Sequence, residues 1–478
     1  MVAFGTSGLR GLAVDLLAGP GYAHVCAFAR HMLAGGSLAP GAKVLVGRDL
    51  RASSPELARQ TIAALAQSGL TPVYCGVIPT PALALQALKL GAGAVMVTGS
   101  HIPADRNGLK FYRPDGEIAK ADERAIAALA RENAGSAAPS ELPRLPPPDD
   151  EAVAAYLARY RTAFPQPVLQ GKRVGVYRHS SVAADILVDL AGALGSEVVR
   201  LGESDGFVAV DTEAIDARTA DRLKAWSRDH RLDAIISTDG DGDRPLLADE
   251  TGRIVRGDAL GLISARFLKA DAVVTPVTSN PGIVGGDGFR LFRTKVGSPF
   301  VLEGMAAATA AGHRAIIGFE ANGGLLIGSP IALPTAELEP LPTRDSVLPI
   351  LCALTSAFGA GLELSALVAG LELPACASGR LENFSRDDSE RLMTWLSEDE
   401  ENVRTFLGGL GDLSGMDDTD GLQMTLSDGG SLHLRPSGNA PEMRCYASAQ
   451  SEERTSALLA AGLERIRRFA QVPGLKTG

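Results

Sequence analysis

The sequence predicts an α/β protein of several domains. Short apolar runs alternate with helical patterns through about the first 330 residues, the pattern of strands joined by helical crossovers. Three of those runs deliver a polar loop carrying glycine, at 98–101, 238–241 and 319–324. In open α/β sheets ligands sit beyond the carboxyl ends of strands, so three loops in equivalent places suggest similar domains around one cleft. From about residue 375 the pattern shifts to short strands and tight turns, which predicts a smaller α+β domain. A chain of 478 residues is too long for one core and divides into about three or four domains at ~150 residues each.

Taken in order, residues 43–46 read as a strand. Ser54 is expected to cap a helix with Pro55 at its first position, where the missing N–H costs nothing; the helix runs to Gly69 with Leu57, Ile62 and Leu65 on one face. A strand at 73–77, a helix at 81–90 and a strand at 94–97 continue the alternation. Residues 134–149 contain five prolines, which rule out regular structure and mark a linker that ends the first domain. A second cycle runs from a strand at 173–177 through helices near 182–194 and 217–230 to the strand before Asp239. A third runs from a strand at 272–275 through a helix at 300–311 to a strand at 315–318. The C-terminal region reads as a helix near 386–397, a strand at 421–426, a turn at 428–430 and a strand at 431–434.

The loop Asp-Gly-Asp-Gly-Asp-Arg at 239–244 carries the clearest chemistry. Carboxylates at alternate positions, separated by glycines, can fold around one hard divalent cation, because oxygen ligands suit Mg²⁺ or Ca²⁺ and glycine permits a sharp turn. One Asp-Gly pair would be an ordinary solvated turn. Three in series behind an apolar strand predict a metal loop with Asp239, Asp241 and Asp243 as ligands. The same residues, with Glu250 at position 12, also match EF-hand spacing. That loop needs glycine at position 6 and flanking helices, whereas Arg244 stands there and residues 234–236 read as a strand.

The formal net charge of −10 comes without a basic block or interleaved aromatic stripe, which argues against nucleic acid or an anionic membrane as partner. Five scattered cysteines, none in a Cys-x-x-Cys arrangement, indicate neither a disulfide framework nor a zinc site. The residues after Met1 show no basic stretch leading into an apolar one. The longest uncharged run, 60–88, contains Pro72, Pro79 and Pro81 and reads as no membrane helix. A cytoplasmic location is expected.

Ser100 lies in a loop after a buried-looking strand, with His101 beside it and Lys110 ten residues on. No Gly-x-Ser-x-Gly elbow supports a hydrolase triad there. Taken together, Phe4-Gly-Thr-Ser-Gly-Leu-Arg-Gly11, Thr98-Gly-Ser-His-Ile-Pro103 with Asn107-Gly-Leu-Lys110, the run 239–244, Gly318-Phe-Glu320 and Arg435-Pro-Ser-Gly438 resemble the α-D-phosphohexomutase family over the whole chain. Its members include phosphomannomutases, phosphoglucomutases and phosphoglucosamine mutases, and the likeness is greatest to bacterial phosphomannomutases.

The resemblance implies four domains around one active-site cleft: three related α/β sandwich domains with mixed sheets (1–145, 150–253 and 254–368) and a C-terminal α+β domain (372–478). It implies that Ser100 carries a phosphoryl group, and that this phosphate and Asp239, Asp241 and Asp243 hold Mg²⁺. Arg10, His101, Lys110 and Arg244 then line the transfer site, with His101 and Lys110 as candidates for moving the proton of the sugar hydroxyl. Thr6, Ser7, Glu320, Asn322 and Lys295 are implied substrate contacts; Arg435, Ser437, Gly438 and Asn439 are implied holders of the phosphate that is not transferred. Departures from the family pattern are Ile102 for the usual Asn, Asn322 for a serine, Asn439-Ala440 for Thr-Glu and Ser298 for a histidine.

The expected function is interconversion of mannose 1-phosphate and mannose 6-phosphate through a hexose 1,6-bisphosphate, with glucose phosphates also used. Phosphoglucomutase or phosphoglucosamine mutase activity is the alternative, and a non-catalytic sugar-phosphate binder or a metal-dependent phosphatase is the rival of another class. Hexose phosphates are the expected partners, and the chain is expected to be a monomer or a weak homodimer.

Overall fold

The computed structural model describes residues 2–5, 8–132, 138–164, 167–286, 288–437 and 441–471. The chain forms two compact units. One comprises Met1–Val274, Gly286–Phe292 and Gly297–Leu371; the other comprises Thr275–Gly285, Arg293–Val296 and Glu372–Gly478.

The first sheet runs in the order Ala3–Phe4, Leu9–Leu12, Arg106–Arg113, Gly93–Val97, Lys43–Arg48, Thr71–Val77, with Gly116–Glu117 paired to Arg106–Arg113. Its strands Lys43–Arg48, Thr71–Val77 and Gly93–Val97 are parallel, while Arg106–Arg113 and Leu9–Leu12 run antiparallel to their neighbours. The helix Pro20–Ala34 presents Val25, Phe28 and Met32 at helical spacing to this sheet, and Phe28 stacks on Phe111 with ring centroids 5.0 Å apart. Helix Ser54–Gln67 buries Leu57, Ile62 and Leu65 in the same core, on the face the sequence indicates.

Its cap differs from expectation. Ser53, not Ser54, is the N-cap and makes no side-chain cap bond; the Ser54 hydroxyl instead donates to the Asp49 carboxylate. A buried carboxylate needs donors more than a helix end with Pro55 in its first turn does.

A second sheet has the order Pro245–Ala248, Ala234–Thr238, Arg173–His179, Glu197–Glu203. A third is ordered Arg290–Thr294, Ala272–Pro276, Ile316–Phe319, Leu325–Ile327, Leu341–Asp345. One device recurs in all three: a fully buried strand delivers its polar loop and the chain returns antiparallel beside it. Gly93–Val97 returns as Arg106–Arg113, Ala234–Thr238 as Pro245–Ala248, and Ile316–Phe319 as Leu325–Ile327. The sheets are therefore mixed rather than wholly parallel, and each chemical loop is pinned at both ends by a strand.

Residues 138–149 of the proline-rich stretch contain no helix or strand, while 133–137 lie outside the described residues. The helix Glu151–Ala163 follows, and its Tyr156 and Tyr160 hydroxyls both donate to Asp345 at the end of strand Leu341–Asp345. In the second unit a five-stranded antiparallel sheet, Ala375–Glu382, Glu442–Ala449, Ser431–Pro436, Leu422–Leu426, Leu413–Asp417, packs against helix Glu452–Gln471 through Leu458, Ile466 and Phe469. No helix among the described residues is long and apolar enough to cross a membrane.

Candidate active site

The Ser100 loop leaves the buried strand Gly93–Val97 and is held from below by Asp49 and Arg51. The Arg51 guanidinium donates to the carbonyls of Ser100 (2.9 Å), Ile102 (2.6 Å), Pro103 (2.6 Å) and Arg106 (2.9 Å). Its Nε reaches Asp49 Oδ2 at 3.2 Å, and the same carboxylate accepts from Thr98 Oγ1 at 2.8 Å. This frame holds Ser100 in the left-handed region, φ +55°, which a non-glycine residue occupies at a cost. The serine hydroxyl is thereby turned to Asp239, donating to Oδ2 at 2.6 Å, with His101 Nδ1 3.3 Å away.

Asp239 follows strand Ala234–Thr238, and the turn closes when its N–H donates to the Arg244 carbonyl at 3.0 Å. The glycines are required. Gly242 has φ +74°, and a Cβ on Gly240 would lie 3.0 Å from the Ser100 carbonyl oxygen and 2.9 Å from the Phe207 ring. Carboxylate oxygens of Asp239, Asp241 and Asp243 all come within 4.8 Å of one another, and all three residues are buried. Asp241 Oδ1 and Asp243 Oδ1 have no hydrogen-bond partner. An all-oxygen donor set with spare buried lone pairs fits a hard divalent cation.

Cations surround the triad. Lys110 Nζ lies 2.6 Å from both Asp241 Oδ2 and Asp243 Oδ2, and Thr80 Oγ1 donates to Asp241 Oδ2 at 2.6 Å. Register explains the placement: Lys110 pairs with Met96 near the end of the serine-loop strand, and Arg10 pairs with Gly108, two residues from Lys110 and so on its face. Burial opposes the Lys110 ammonium, but Asp241 and Asp243 outweigh it and raise its pKa. Burial and the charges of Asp241 and Asp243 push Asp239 well above the carboxylate range, a like-charge repulsion that a divalent cation would relieve. Burial also opposes charge on Asp243, yet Arg344, Lys110 and Arg244 hold its carboxyl below the usual range.

Burial, then Arg244 and Arg344, lower Arg10 to about 10, and burial with Arg244 and Arg10 holds His101 well below the usual imidazole value. Arg244 Nε and Nη1 are buried without a hydrogen bond; the carboxylates nearest Nη1, on Glu213 and Asp211, stand at 3.6 and 3.7 Å. Those donors can serve an anion.

Glu320, after strand Ile316–Phe319, is 2.7 Å from Arg344 Nη1. Asn322 is largely spent on its own loop: its Oδ1 accepts from Gly324 N–H at 3.0 Å and its Nδ2 lies 3.4 Å from Glu320 Oε2. In the second unit, Arg435 Nε donates to Asp420 Oδ2 at 2.7 Å, the Ser437 N–H donates to the Glu442 carbonyl at 3.0 Å, and Lys295 is exposed. Thr6, Ser7, Gly438 and Asn439 lie outside the described residues.

Family models of phosphoglucomutase/phosphomannomutase alpha/beta/alpha domain I and domain III match residues 1–136 and 256–373. A phosphomannomutase of Sinorhizobium fredii is 50% identical over 462 residues, 96% of this chain and 98% of the relative. The chain belongs to the phosphoglucomutase/phosphomannomutase family. It is a phosphohexomutase, an isomerase that moves a phosphoryl group within a hexose phosphate. A phosphomannomutase of Salmonella muenchen is 43% identical over 469 residues, 97% of this chain and 95% of the relative. Among solved structures, a phosphoglucomutase/phosphomannomutase family protein of Burkholderia thailandensis shares the fold of this mutase, with TM-score 0.75 at 21% identity over 98% of both chains. An N-acetylphosphoglucosamine mutase of Aspergillus fumigatus, solved in complex with GlcNAc-6P and magnesium, matches with TM-score 0.56 at 16% identity over 98% of this chain and 96% of that one.

The fold of the mutase thus brings Arg10, Ser100, His101, Lys110, the three aspartates, Arg244 and Glu320 into its first unit. Sequence reasoning missed Asp49, Arg51, Thr80 and Arg344, which hold those groups. The only sequence signal among them is the pair Asp49 and Arg51 just past strand Lys43–Arg48.

Proposed function

We propose that this phosphohexomutase interconverts mannose 1-phosphate and mannose 6-phosphate through phosphorylated Ser100 and a hexose 1,6-bisphosphate, and also accepts glucose phosphates. The carrying observation is the 2.6 Å contact of Ser100 Oγ with Asp239 Oδ2 at the edge of the buried triad. In the forward step the phosphoryl group leaves Ser100 Oγ for a sugar hydroxyl oxygen; the hydroxyl proton passes to His101, or to Lys110 in its deprotonated amine form, and the Ser100 oxygen is left to take up a phosphoryl group from the other end of the bisphosphate. Transfer of this kind depends on positioning and electrostatic stabilisation. Asp239, Asp241, Asp243 and the Ser100 phosphate would hold Mg²⁺, which when bound offsets charge on the phosphoryl oxygens. The magnesium in the Aspergillus fumigatus enzyme supports that choice of ion.

Arg10 and Arg244 carry donors for the transferring phosphate, Glu320 accepts from sugar hydroxyls with Asn322 steadying its loop, and Thr6, Ser7 and Lys295 complete the substrate contacts. Arg435, Ser437, Gly438 and Asn439 hold the other phosphate. The mannose assignment is supported by the phosphomannomutase relatives at 50% and 43% identity. The four-part division at 1–145, 150–253, 254–368 and 372–478 and a cytoplasmic location belong to the same reading.

Ser100→Ala removes the acceptor oxygen while leaving a small side chain, so turnover is expected to drop by orders of magnitude with the melting temperature little changed. Intact-mass analysis of active protein is expected to show one phosphate, lost in the variant. Full activity in Ser100→Ala would overturn the scheme. Steady release of inorganic phosphate in place of isomer would favour a phosphatase, and binding without turnover a sensor.

A further inference from the structure

Arg344 lies in none of the five motif loops, yet its guanidinium contacts both the metal loop, at Asp243, and the sugar loop, at Glu320. It sits on strand Leu341–Asp345, next to Leu325–Ile327, and is 3% exposed. Its Nη2 and Nε approach Asp243 Oδ2 at 2.7 and 3.2 Å. Its Nη1 donates to Glu320 Oε2 at 2.7 Å and to Ser298 Oγ at 3.0 Å. A planar fork sets its donors at fixed, separate positions, so one edge can hold Asp243 while Nη1 holds Glu320, a geometry that the single nitrogen of an ammonium does not reproduce. The path of the side chain is cleared by Gly324, where a Cβ would fall 2.8–2.9 Å from Arg344 Cδ, Cβ and Cγ. Below it, Asp345 is anchored by Tyr156 and Tyr160, so the strand that aims the arginine is fixed from behind.

We propose that Arg344 is a positioning residue that couples the sugar-reading carboxylate to the metal loop: it holds Glu320 in the orientation that receives sugar hydroxyls, and it competes with the divalent cation for Asp243. The inference rests on the reading of Glu320 as a sugar contact and of the aspartate triad as the cation site.

Two opposite effects follow from removing the guanidinium. Glu320 loses the donor that fixes it, so hexose phosphate binds more weakly. Asp243 loses a competing positive charge, so a divalent cation binds more tightly. A merely architectural arginine would give a different result, because slackening both loops weakens both ligands together.

The test uses the full chain and two direct binding measurements, calorimetric titration of mannose 1-phosphate and, separately, of Mg²⁺. Arg344→Met is expected to weaken mannose 1-phosphate by about tenfold or more, the scale of a charged hydrogen bond, and to tighten Mg²⁺ severalfold. In a Glu320→Gln background the same change is expected to cost little further sugar affinity, because the effect runs through Glu320. Gly324→Ala displaces the arginine without removing its charge and is expected to weaken mannose 1-phosphate while leaving Mg²⁺ nearly unchanged. Arg344→Lys, which reaches only one of the two carboxylates, is expected not to restore sugar affinity.

Parallel weakening of both ligands in Arg344→Met, unchanged sugar affinity, or full additivity with Glu320→Gln would each overturn the proposal while leaving the mutase reading standing. If Arg344→Met does not fold, Gly324→Ala decides, and wild-type sugar affinity there overturns it. Wild-type protein that binds neither mannose 1-phosphate nor Mg²⁺ would instead remove the functional reading and this inference with it.

Discussion

Asp241 illustrates how a single side chain can divide its two oxygens between structure and chemistry. Oδ2 accepts from Thr80 and from Lys110, each at 2.6 Å, while Oδ1 is buried and unspent. Asp241→Asn keeps the shape, removes the charge and sets an amide NH₂ or a neutral oxygen against the Lys110 ammonium. Mg²⁺ affinity is expected to fall by about tenfold or more, with a chelator abolishing wild-type activity and Mg²⁺ restoring it. Wild-type affinity and rate in the variant would move the cation elsewhere. These aspartates could be read from sequence because alternation with glycine is a local pattern with a local cause. Arg344 could not, because a lone arginine between Thr343 and Asp345 looks like any solvated residue until tertiary packing buries it against Asp243 and Glu320.

At the scale of elements, the strands that end in chemical loops were legible from their apolar runs, and Ala234–Thr238 and Ile316–Phe319 lie within a residue or so of expectation. The return strand Arg106–Arg113 was not, since Arg106, Asn107, Lys110 and Arg113 interrupt the apolar alternation that identifies a buried strand. Asn107 and Lys110 are nevertheless buried, because partners wait for them: Asn107 Nδ2 donates to Ser53 and Ser54 hydroxyls at 2.8 and 3.0 Å, and Lys110 faces the triad. The loop between this strand and Gly93–Val97 depends on Arg51, whose guanidinium also stacks 4.0 Å over the Phe207 ring. Arg51→Met would leave Asp49 without its buried counter-charge and take from four carbonyls the guanidinium donors that tie them together. A loss of about 3–5 kcal/mol in stability is expected, together with faster amide exchange across 99–106 and reduced turnover as Ser100 relaxes from φ +55°. Wild-type exchange protection in that segment would show that the loop holds its shape without the clamp.

For the molecule as a whole, the reaction cycle constrains sugar selection more than any one contact does. On the proposed reading, a hexose 1,6-bisphosphate must be accepted in two orientations, so the residues that grip the ring must meet equivalent hydroxyls in both. Glu320 is the only acidic side chain in the loop 319–324, and Asn322 Oδ1 is occupied by Gly324 N–H. That leaves no second buried group dedicated to the C2 position in this loop, and an epimer that no buried partner reads is discriminated by only a few kcal/mol. Mannose 1-phosphate and glucose 1-phosphate are therefore both expected to turn over, with kcat/KM values within roughly a hundredfold of each other. Glucosamine phosphate is expected to be poorer, because its C2 ammonium would have to draw on Glu320, which Arg344 already engages at 2.7 Å. Glu320→Gln weakens a contact common to both neutral sugars and is expected to depress their turnover together. Steady-state assays on the three substrates decide this: a Gln variant that loses mannose alone or glucose alone would assign Glu320 to C2 and end the dual-substrate argument, since a residue that reads C2 in one orientation cannot serve the inverted bisphosphate equally well.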